Sequence, residues 1–204
     1  MLRRHRMKGF NLVELMVAMV AGLLLVAAAS ALFASILKAN KTAMQVSRLN
    51  QELQSITDMM ARDIQRAGYD ASAAAHTLVS GATSPFYFDP ATDLVSGCIK
   101  VKYDDNADGV LDNTSAAGET RFYNYSSADK AVRLDQGDTA SCSAGSKLSS
   151  DDTIAVSALS FSMLSGSVST GVRSIRLTIT GNDIKSPALT LTLQRDIKLR
   201  NDGF

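Results

Sequence analysis

The stretch Lys8-Gly-Phe-Asn-Leu-Val-Glu-Leu-Met16 opens a long apolar run, and this run decides the fold of the chain. The first eight residues carry four basic side chains and no acid. The 23 residues from Leu15 to Leu37 carry no charge, and a helix needs about 20 apolar residues to span a bilayer. Because the basic flank comes first, we expect the leader to stay cytoplasmic and the rest to be exported. Glu14 is the one acid in the run, and a lone carboxylate there indicates a functional role.

Three interpretations of this N-terminus compete. A signal peptide would use the small residues of Ala27–Ala31 for cleavage, and a plain single-pass anchor would use only the apolar length, but both leave Glu14 unexplained. The motif closely resembles the class III leader of type IV pilins and type II secretion pseudopilins. That resemblance implies that a prepilin peptidase cuts between Gly9 and Phe10 and methylates the new N-terminus, so that Glu14 becomes the fifth residue of the mature chain.

The position of Glu14 suggests how it acts. Processing would leave a charged amine on Phe10, about one helical turn from the carboxylate. The amine of one subunit and the carboxylate of its neighbour can neutralise each other during assembly, the role that the resemblance implies, and breaking such a pair costs about 3–5 kcal/mol. The alternative is an unpaired acid that takes up a proton.

A helical pattern continues beyond the apolar run. Apolar residues recur every three or four positions over Val46–Ala67, which predicts a buried stripe on one helix face. We place the intervening polar residues, Asp63 among them, on the solvent-exposed face of this helix, and Gly68 at the helix end. A continuous helix over Phe10–Ala67 would be about 87 Å long. Its first half must lie in lipid or in a helix bundle, and its second half along a globular head.

The end of this helix carries a narrower resemblance. Its sequence, Arg62-Asp-Ile-Gln-Arg-Ala-Gly-Tyr69, is similar to the PilW-type minor pilins and the related J-type minor pseudopilins. The resemblance implies four parts of the chain: a leader (1–9), a transmembrane and assembly helix (10–37), the amphipathic half of the same helix (38–68) and a periplasmic β-rich head (69–204).

The pattern changes to period two in the head, which predicts an α+β fold with an antiparallel sheet and one core. Alternation predicts strands around Ile99–Tyr103, Arg121–Tyr125, Ala131–Asp135, Thr153–Leu164, Ile175–Ile179 and Leu189–Leu199. We also expect a short strand at Phe86–Phe88, a bulge between Ala158 and Leu159, and a hairpin turn at Gly181–Asp183.

Cys98 and Cys142 are the two cysteines of the chain. Export to an oxidising compartment favours a disulfide between them, which would close a loop of about 45 residues and contribute about 4 kcal/mol. The alternative is two buried free thiols. A zinc site is not expected, because the mature chain would hold a single histidine, His76.

An acidic stretch between the cysteines, Asp104–Asp112, matches the start of an EF-hand calcium loop. The ligands would be Asp104, Asn106, Asp108, Asp112 and the carbonyl of Val110. The twelfth position holds Ser115 instead of glutamate, and Glu119 is a candidate to complete the shell. Calcium is the one cofactor that any motif suggests, and the alternative is a solvated acidic loop.

Bulk composition excludes several classes of function. Without the four basic leader residues, 17 basic residues stand against 20 acidic ones, a formal charge of −3. A chain with this balance has no basic footprint for nucleic acid. No nucleophile elbow, P-loop or zinc-protease motif occurs in the sequence, so we do not expect an enzyme.

The resemblance implies a minor pilin of the type IV pilus that primes pilus assembly and is located at the filament tip. Its partners would be other minor pilins, the major pilin, the prepilin peptidase and the inner-membrane assembly platform. It would sit in the bacterial inner membrane with a periplasmic head until it enters the pilus. Two alternatives stay open: a minor pseudopilin of type II secretion, and a membrane-tethered periplasmic domain with calcium-dependent binding.

Overall fold

The structure is a computed structural model, and it describes residues 9, 11–72, 84–112, 114, 118–137, 140–150, 152–165 and 173–201. The chain divides into two compact units, Met1–Gln45 and Val46–Phe204. The elements are α1 (Leu12–Arg66), α2 (Pro90–Asp93), β1 (Leu94–Val95), β2 (Cys98–Lys102), β3 (Thr120–Ser126), β4 (Ala131–Gln136), β5 (Ser146–Lys147), β6 (Ile154–Ser165), β7 (Ser174–Asp183) and β8 (Thr190–Lys198).

The described part of the first unit is helical from Leu12 onward. Every side chain from Asn11 to Met44 is exposed in this unit. The α1 helix is the one helix in the described residues that is long and apolar enough to cross a membrane, and the window that meets this test has no buried residues. An exposed apolar helix of this length is consistent with a single-pass membrane anchor.

The α1 helix ends where the sequence predicts, one turn before Tyr69. Gly68 adopts a left-handed φ of +80°, a conformation that glycine takes at helix ends without steric cost. Its N–H donates to the carbonyl of Lys102 at 2.9 Å. A Cβ at this position would lie 2.7 Å from the carbonyl oxygen of Asn201, so the close approach of the C-terminal segment also requires glycine.

Two antiparallel sheets form the second unit together with the last turns of α1. The first sheet has five strands in the order β1-β2-β3-β4-β5, and the second has three in the order β6-β7-β8. The part of the long helix α1 that belongs to the second unit, from Val46 onward, packs on these antiparallel sheets, which gives an α+β architecture like that of pilins and confirms the predicted fold class.

A single hydrophobic core joins helix and sheets. The predicted stripe of α1 supplies fully buried side chains, among them Leu53, Met60 and Ile64. The second sheet supplies alternate residues of β7, whose burial pattern has period two. At Gly181 the helix lies close to the sheet, and an added Cβ would meet the Leu53 side chain at 3.0 Å. The core cluster also includes Ile99 and Val101 of the first sheet.

One local prediction in the head is wrong, the strand at Phe86–Phe88, and two others are displaced along the chain. Phe86 and Phe88 are buried, as aromatic residues usually are, but they lie in irregular structure before α2. The carbonyl of Phe88 accepts a hydrogen bond from the Arg173 guanidinium at 2.8 Å instead of a strand partner. Asp89 then caps α2 by accepting from the N–H of Ala91 at 3.0 Å.

The predicted turn and bulge are also displaced. Gly181–Asp183 belongs to the end of β7, and the chain reverses in the residues after Asp183. The N–H of Asp183 donates to the carbonyl of Leu189 at 3.1 Å and so joins the two sides of this turn. In the pairing of β6 with β7 the register shifts between Val156 and Ala158, just before the predicted site, and again near the C-terminal end of β6.

Candidate functional site

The processing segment precedes the first turn of α1. Gly9 is exposed and lies outside the helix. The helix begins at Leu12, and the carbonyl of Asn11 accepts from the N–H of Leu15 at 3.1 Å. Residues 1–8 and Phe10 lie outside the described residues, so cleavage at Gly9–Phe10 and methylation of Phe10 stay predictions.

Glu14 is exposed in the first turn of α1. Acidic side chains in this position are stabilised by the positive end of the helix dipole. The side chain points into no packed core of the described unit, so its carboxylate is accessible to another molecule. The proposed charge pair between Glu14 and the amine of Phe10 is a contact between subunits, and it stays a prediction.

The N-terminal part of α1 presents an extensive exposed apolar surface. Between Leu12 and Leu37, fifteen large apolar side chains are each at least 48% exposed. Exposed apolar surfaces of this extent indicate a protein or membrane contact. The small residues between them, such as Gly22 and the alanines of Ala27–Ala29, are of the kind that lets helices approach closely inside a membrane.

A disulfide joins the two cysteines of the chain. Cys98 at the start of β2 and Cys142 after β4 are bonded, with their Cα atoms 5.7 Å apart. The segment around Cys142 is also held by the side-chain amide of Asn124, which donates to the carbonyl of Ala144 at 2.8 Å. The bond therefore fixes an irregular segment against the start of β2, an interior strand of the first sheet.

The acidic loop, residues 104–112, is folded around the carboxylate of Asp104, which is 1% exposed. This carboxylate accepts from the backbone N–H groups of Gly109 at 2.9 Å, Ala71 at 3.1 Å and Asp108 at 3.2 Å. Burial alone would raise the pKa of Asp104, but these backbone hydrogen bonds outweigh it and lower the pKa. The carboxylate therefore ties the acidic loop to the segment that follows α1.

Glu119 closes the acidic loop from the other side. Its side chain is fully buried and accepts from the N–H groups of Asp105 at 3.1 Å and Asp112 at 2.6 Å. The side-chain amide of Asn106 donates to Asp108 at 3.0 Å and to Asp112 at 3.1 Å. Within the described residues no group of three or more His, Cys, Asp or Glu side chains is arranged to hold a metal. Calcium binding by this loop stays a prediction.

A buried acid on α1, Asp63, forms the polar centre of the head. Its carboxylate accepts from the guanidinium of Arg121 at 2.9 Å, from the hydroxyl of Tyr103 at 3.3 Å, and from the hydroxyl of Tyr123 through a short hydrogen bond. The guanidinium of Arg66 stacks on the Tyr103 ring, 4.1 Å from its centroid. We call Asp63, Tyr103, Arg121 and Tyr123 the Asp63 cluster.

The electrostatics of the Asp63 cluster follow from burial and one negative charge. Burial, and then the charge of Asp63, raise the pKa of both Tyr103 and Tyr123 above the usual value of a phenol. Burial would lower the pKa of Arg121, but the hydrogen bond and charge of Asp63 outweigh it and raise the pKa. The cluster is thus a satisfied ion pair that joins the last turns of α1 to β3.

The predicted placement of Asp63 on the solvent-exposed face of α1 is wrong. The side chain is 5% exposed, although it lies between polar neighbours in the sequence. Its partners are 40, 58 and 60 positions away, so no local pattern reveals them. The available signal is helical spacing, because Asp63 lies three positions after Met60 and seven after Ile56 and so belongs to the buried side of the helix.

Comparison of the sequence with known protein families assigns the chain to one of them. Residues 42–199 match the family model of prepilin peptidase-dependent protein B. The chain belongs to this family. The match covers most of the chain, and it begins after the apolar run that carries the leader motif. The family assignment and the leader resemblance therefore come from different residues.

No curated protein and no solved structure matches the chain. The family match supports a pilin-related protein, in agreement with the α+β architecture and the N-terminal apolar helix. Proteins of the pilin-like type are generally not enzymes, which agrees with the expectation from the sequence.

Proposed function

We propose that this chain is a minor pilin of the type IV pilus, of the PilW type, and that it helps to prime the filament and stays at its tip. The observation that carries the proposal is the coincidence of two signals in one chain. The leader motif precedes the apolar half of α1, and the remainder matches a family described as dependent on prepilin peptidase.

Processing comes first in this account. The prepilin peptidase cuts between Gly9 and Phe10 and methylates Phe10, which removes four basic residues from the cytoplasmic side of the span. The mature chain is held in the inner membrane by residues 10–37, and residues 38–68 continue the helix into a periplasmic head formed by residues 69–204. The exposed apolar surface of α1 supports this division, because it needs a lipid or helical environment.

Assembly then depends on helix packing and one charge pair. The apolar face of α1 packs against helices of neighbouring subunits, and the carboxylate of Glu14 pairs with the amine of Phe10 on a neighbour. A subunit that keeps its leader lacks this amine, so the pair selects processed subunits. Loss of one member leaves an unpaired charge in an apolar layer, at a cost of about 3–5 kcal/mol. No step in this account requires catalysis by the chain itself.

Its partners are accordingly the major pilin, other minor pilins, the prepilin peptidase and the assembly platform. The alternative in the same class is a minor pseudopilin of type II secretion, which uses the same leader. A tethered domain with calcium-dependent binding is the alternative from another class, and it predicts an unprocessed leader and a functional Glu14→Ala variant.

A count of surface pili by electron microscopy tests the proposal. The gene is deleted in a strain that lacks the retraction motor, so that rare pili are not withdrawn, and is restored as wild type or as Glu14→Ala. We expect a large loss of pili that wild type restores and Glu14→Ala does not. Unchanged pili upon deletion would refute the role in pilus initiation, and a simultaneous defect in protein secretion would then favour the pseudopilin.

A further inference from the structure

A short segment between β4 and β5, residues 140–145, lies on the face of the first sheet that points away from the core. The disulfide joins Cys142 in this segment to Cys98 of β2, which is two strands away from β4 in the sheet order. The chain then returns to the edge of the sheet, where β5 pairs with β4. The segment therefore crosses β3 in both directions, and we call residues 140–145 the strap.

The strap is held by polar contacts and by its disulfide. The side-chain amide of Asn124 donates to the carbonyl of Ala144 at 2.8 Å, and the carboxylate of Asp135 accepts from the N–H of Ser141 at 2.9 Å. None of the six residues of the strap is buried, and the structure describes all of them. Such hydrogen bonds contribute little net stability, whereas fixing each backbone residue costs conformational entropy. Because the strap buries no apolar side chain, its position depends on the disulfide.

The strands beneath the strap are stabilised from their other face. Successive side chains of a strand point to opposite faces of a sheet. Cys98 and Asn124 point toward the strap, because they bond to Cys142 and Ala144. The next residue of β2, Ile99, is fully buried in the core on the opposite face. The packing of β2 in the core therefore does not depend on the strap.

Both ends of the strap are anchored by other contacts. Before the strap, the N–H of Gly137 donates to the carbonyl of Thr120 on β3 at 3.0 Å. After the strap, β5 pairs with β4, and the side chain of Leu148 packs against the core. The strap can therefore leave the sheet between two fixed points while the rest of the head keeps its fold.

The two cysteines of the disulfide differ in exposure. Cys142 is exposed, whereas Cys98 is 3% exposed. A thiolate breaks a disulfide by attacking one of its sulfurs, and access decides which one. Attack by a dithiol on the sulfur of Cys142 forms a mixed disulfide there and releases Cys98 as a thiolate, which takes up a proton. The second thiol of the reductant then displaces Cys142 as a thiol, and the reductant leaves as its own disulfide.

We propose that this disulfide is a redox latch on the strap: a dithiol reduces it in the folded head, and reduction opens the strap while the rest of the head stays folded. Opening uncovers Cys98 and Asn124, which are 3% and 2% exposed although they point away from the core. The reduced head thus presents a free thiol on an open sheet face, whereas an oxidising compartment keeps that face closed. This inference does not rest on the proposed role in the pilus.

Hydrogen exchange read by mass spectrometry tests the latch on the full-length protein in mild detergent. The oxidised protein is compared with protein treated with dithiothreitol in the absence of denaturant. We expect peptides from the strap to exchange at least about tenfold faster after reduction, and peptides from β7 to keep their protection. A disulfide that resists dithiothreitol until denaturant is added, a loss of protection in β7, or unchanged exchange in the strap would each overturn the proposal.

Two variants separate the disulfide from the hydrogen bonds of the strap. Cys142→Ser should show the exchange pattern of the reduced protein without any reductant, and its Cys98 thiol should react with iodoacetamide while β7 stays protected. Asn124→Ala removes the contact with the carbonyl of Ala144 but keeps the disulfide, so its strap should stay protected until dithiothreitol is added. Fast exchange of the strap in oxidised Asn124→Ala, or a Cys98 thiol that resists iodoacetamide in folded Cys142→Ser, would contradict the latch.

Discussion

Replacing Asp63 by asparagine should destabilise the head more than any other change of a single carboxylate on α1. The substitution keeps the size of the side chain and removes its charge. Three donors lose a charged acceptor, and hydrogen bonds to charged groups contribute about 1.5–3 kcal/mol each. One of them, the Arg121 guanidinium, also loses its counter-ion.

The expected magnitude follows from the exposure of the partners. Removing one member of a buried ion pair costs about 3–5 kcal/mol, but the side chain of Arg121 is 21% exposed, so water relieves part of the penalty. We therefore expect a loss of about 3 kcal/mol in the free energy of unfolding for Asp63→Asn. A further Arg121→Leu change should add little in this background, because the two residues act as one pair.

Urea unfolding of the full-length protein in mild detergent measures this effect. The chain has no tryptophan and five tyrosines, so tyrosine fluorescence follows the unfolding of the head, with Tyr103 and Tyr123 of the cluster among its sources. Asp58→Asn is the matched control, since it breaks an ion pair between the same helix and Arg195 whose side chains are 58% and 43% exposed. This variant should lose less than about 1 kcal/mol. Equal losses for Asp63→Asn and Asp58→Asn would refute the reasoning.

Three further predictions concern pH, the disulfide and calcium. Folding raises the pKa of Tyr103 and Tyr123, so the unfolded chain releases their protons at lower pH than the folded chain does. The free energy of unfolding should therefore be constant with respect to these groups below the usual phenol pKa of about 10 and should fall above it, by up to about 1.4 kcal/mol per pH unit for each tyrosine. Urea unfolding at increasing alkaline pH should show a shallower fall for Tyr123→Phe. Replacing Cys98 and Cys142 together by serine should cost about 4 kcal/mol, measured by urea unfolding, and a loss within error of zero would contradict the loop-closure argument. Isothermal titration with calcium should show binding at extracellular strength that Asp104→Asn abolishes, whereas an absence of heat with the wild-type protein would remove calcium from the account.

The helix and the strands were predictable because their burial has a fixed period. The stripe of α1 recurs at helical spacing, and β7 alternates with period two, so local order alone reveals which face packs inward. The end of α1 at Gly68 was predictable for the same reason, since a left-handed glycine is a local signal.

Errors arose where a distant residue decides the local structure. Asp63 is polar in sequence but is buried on α1 by Arg121 and Tyr123, which reach it from strand β3. Gly181 is typical of a turn, yet it lies within β7, where Leu53 leaves little room for a side chain. Phe88 has the composition of a strand, but its carbonyl is taken by a guanidinium far along the chain.

The acidic loop shows the same limit for the candidate site. Its spacing predicts a calcium shell, which stays a prediction, but it does not reveal that Asp104 accepts from backbone N–H groups, one of them that of Ala71 after the helix. That contact depends on how the helix end meets the loop, which spacing within the loop does not encode.

The mass of the mature N-terminus tests the central claim most directly. The protein is purified from the membrane of a strain with an active prepilin peptidase and of one without it, and its N-terminal peptide is measured by mass spectrometry. The account predicts a chain that begins at Phe10 with one added methyl group in the first strain, and the intact leader with Gly9 still attached in the second. A leader retained in both strains, or cleavage near Ala29 in both, would contradict it.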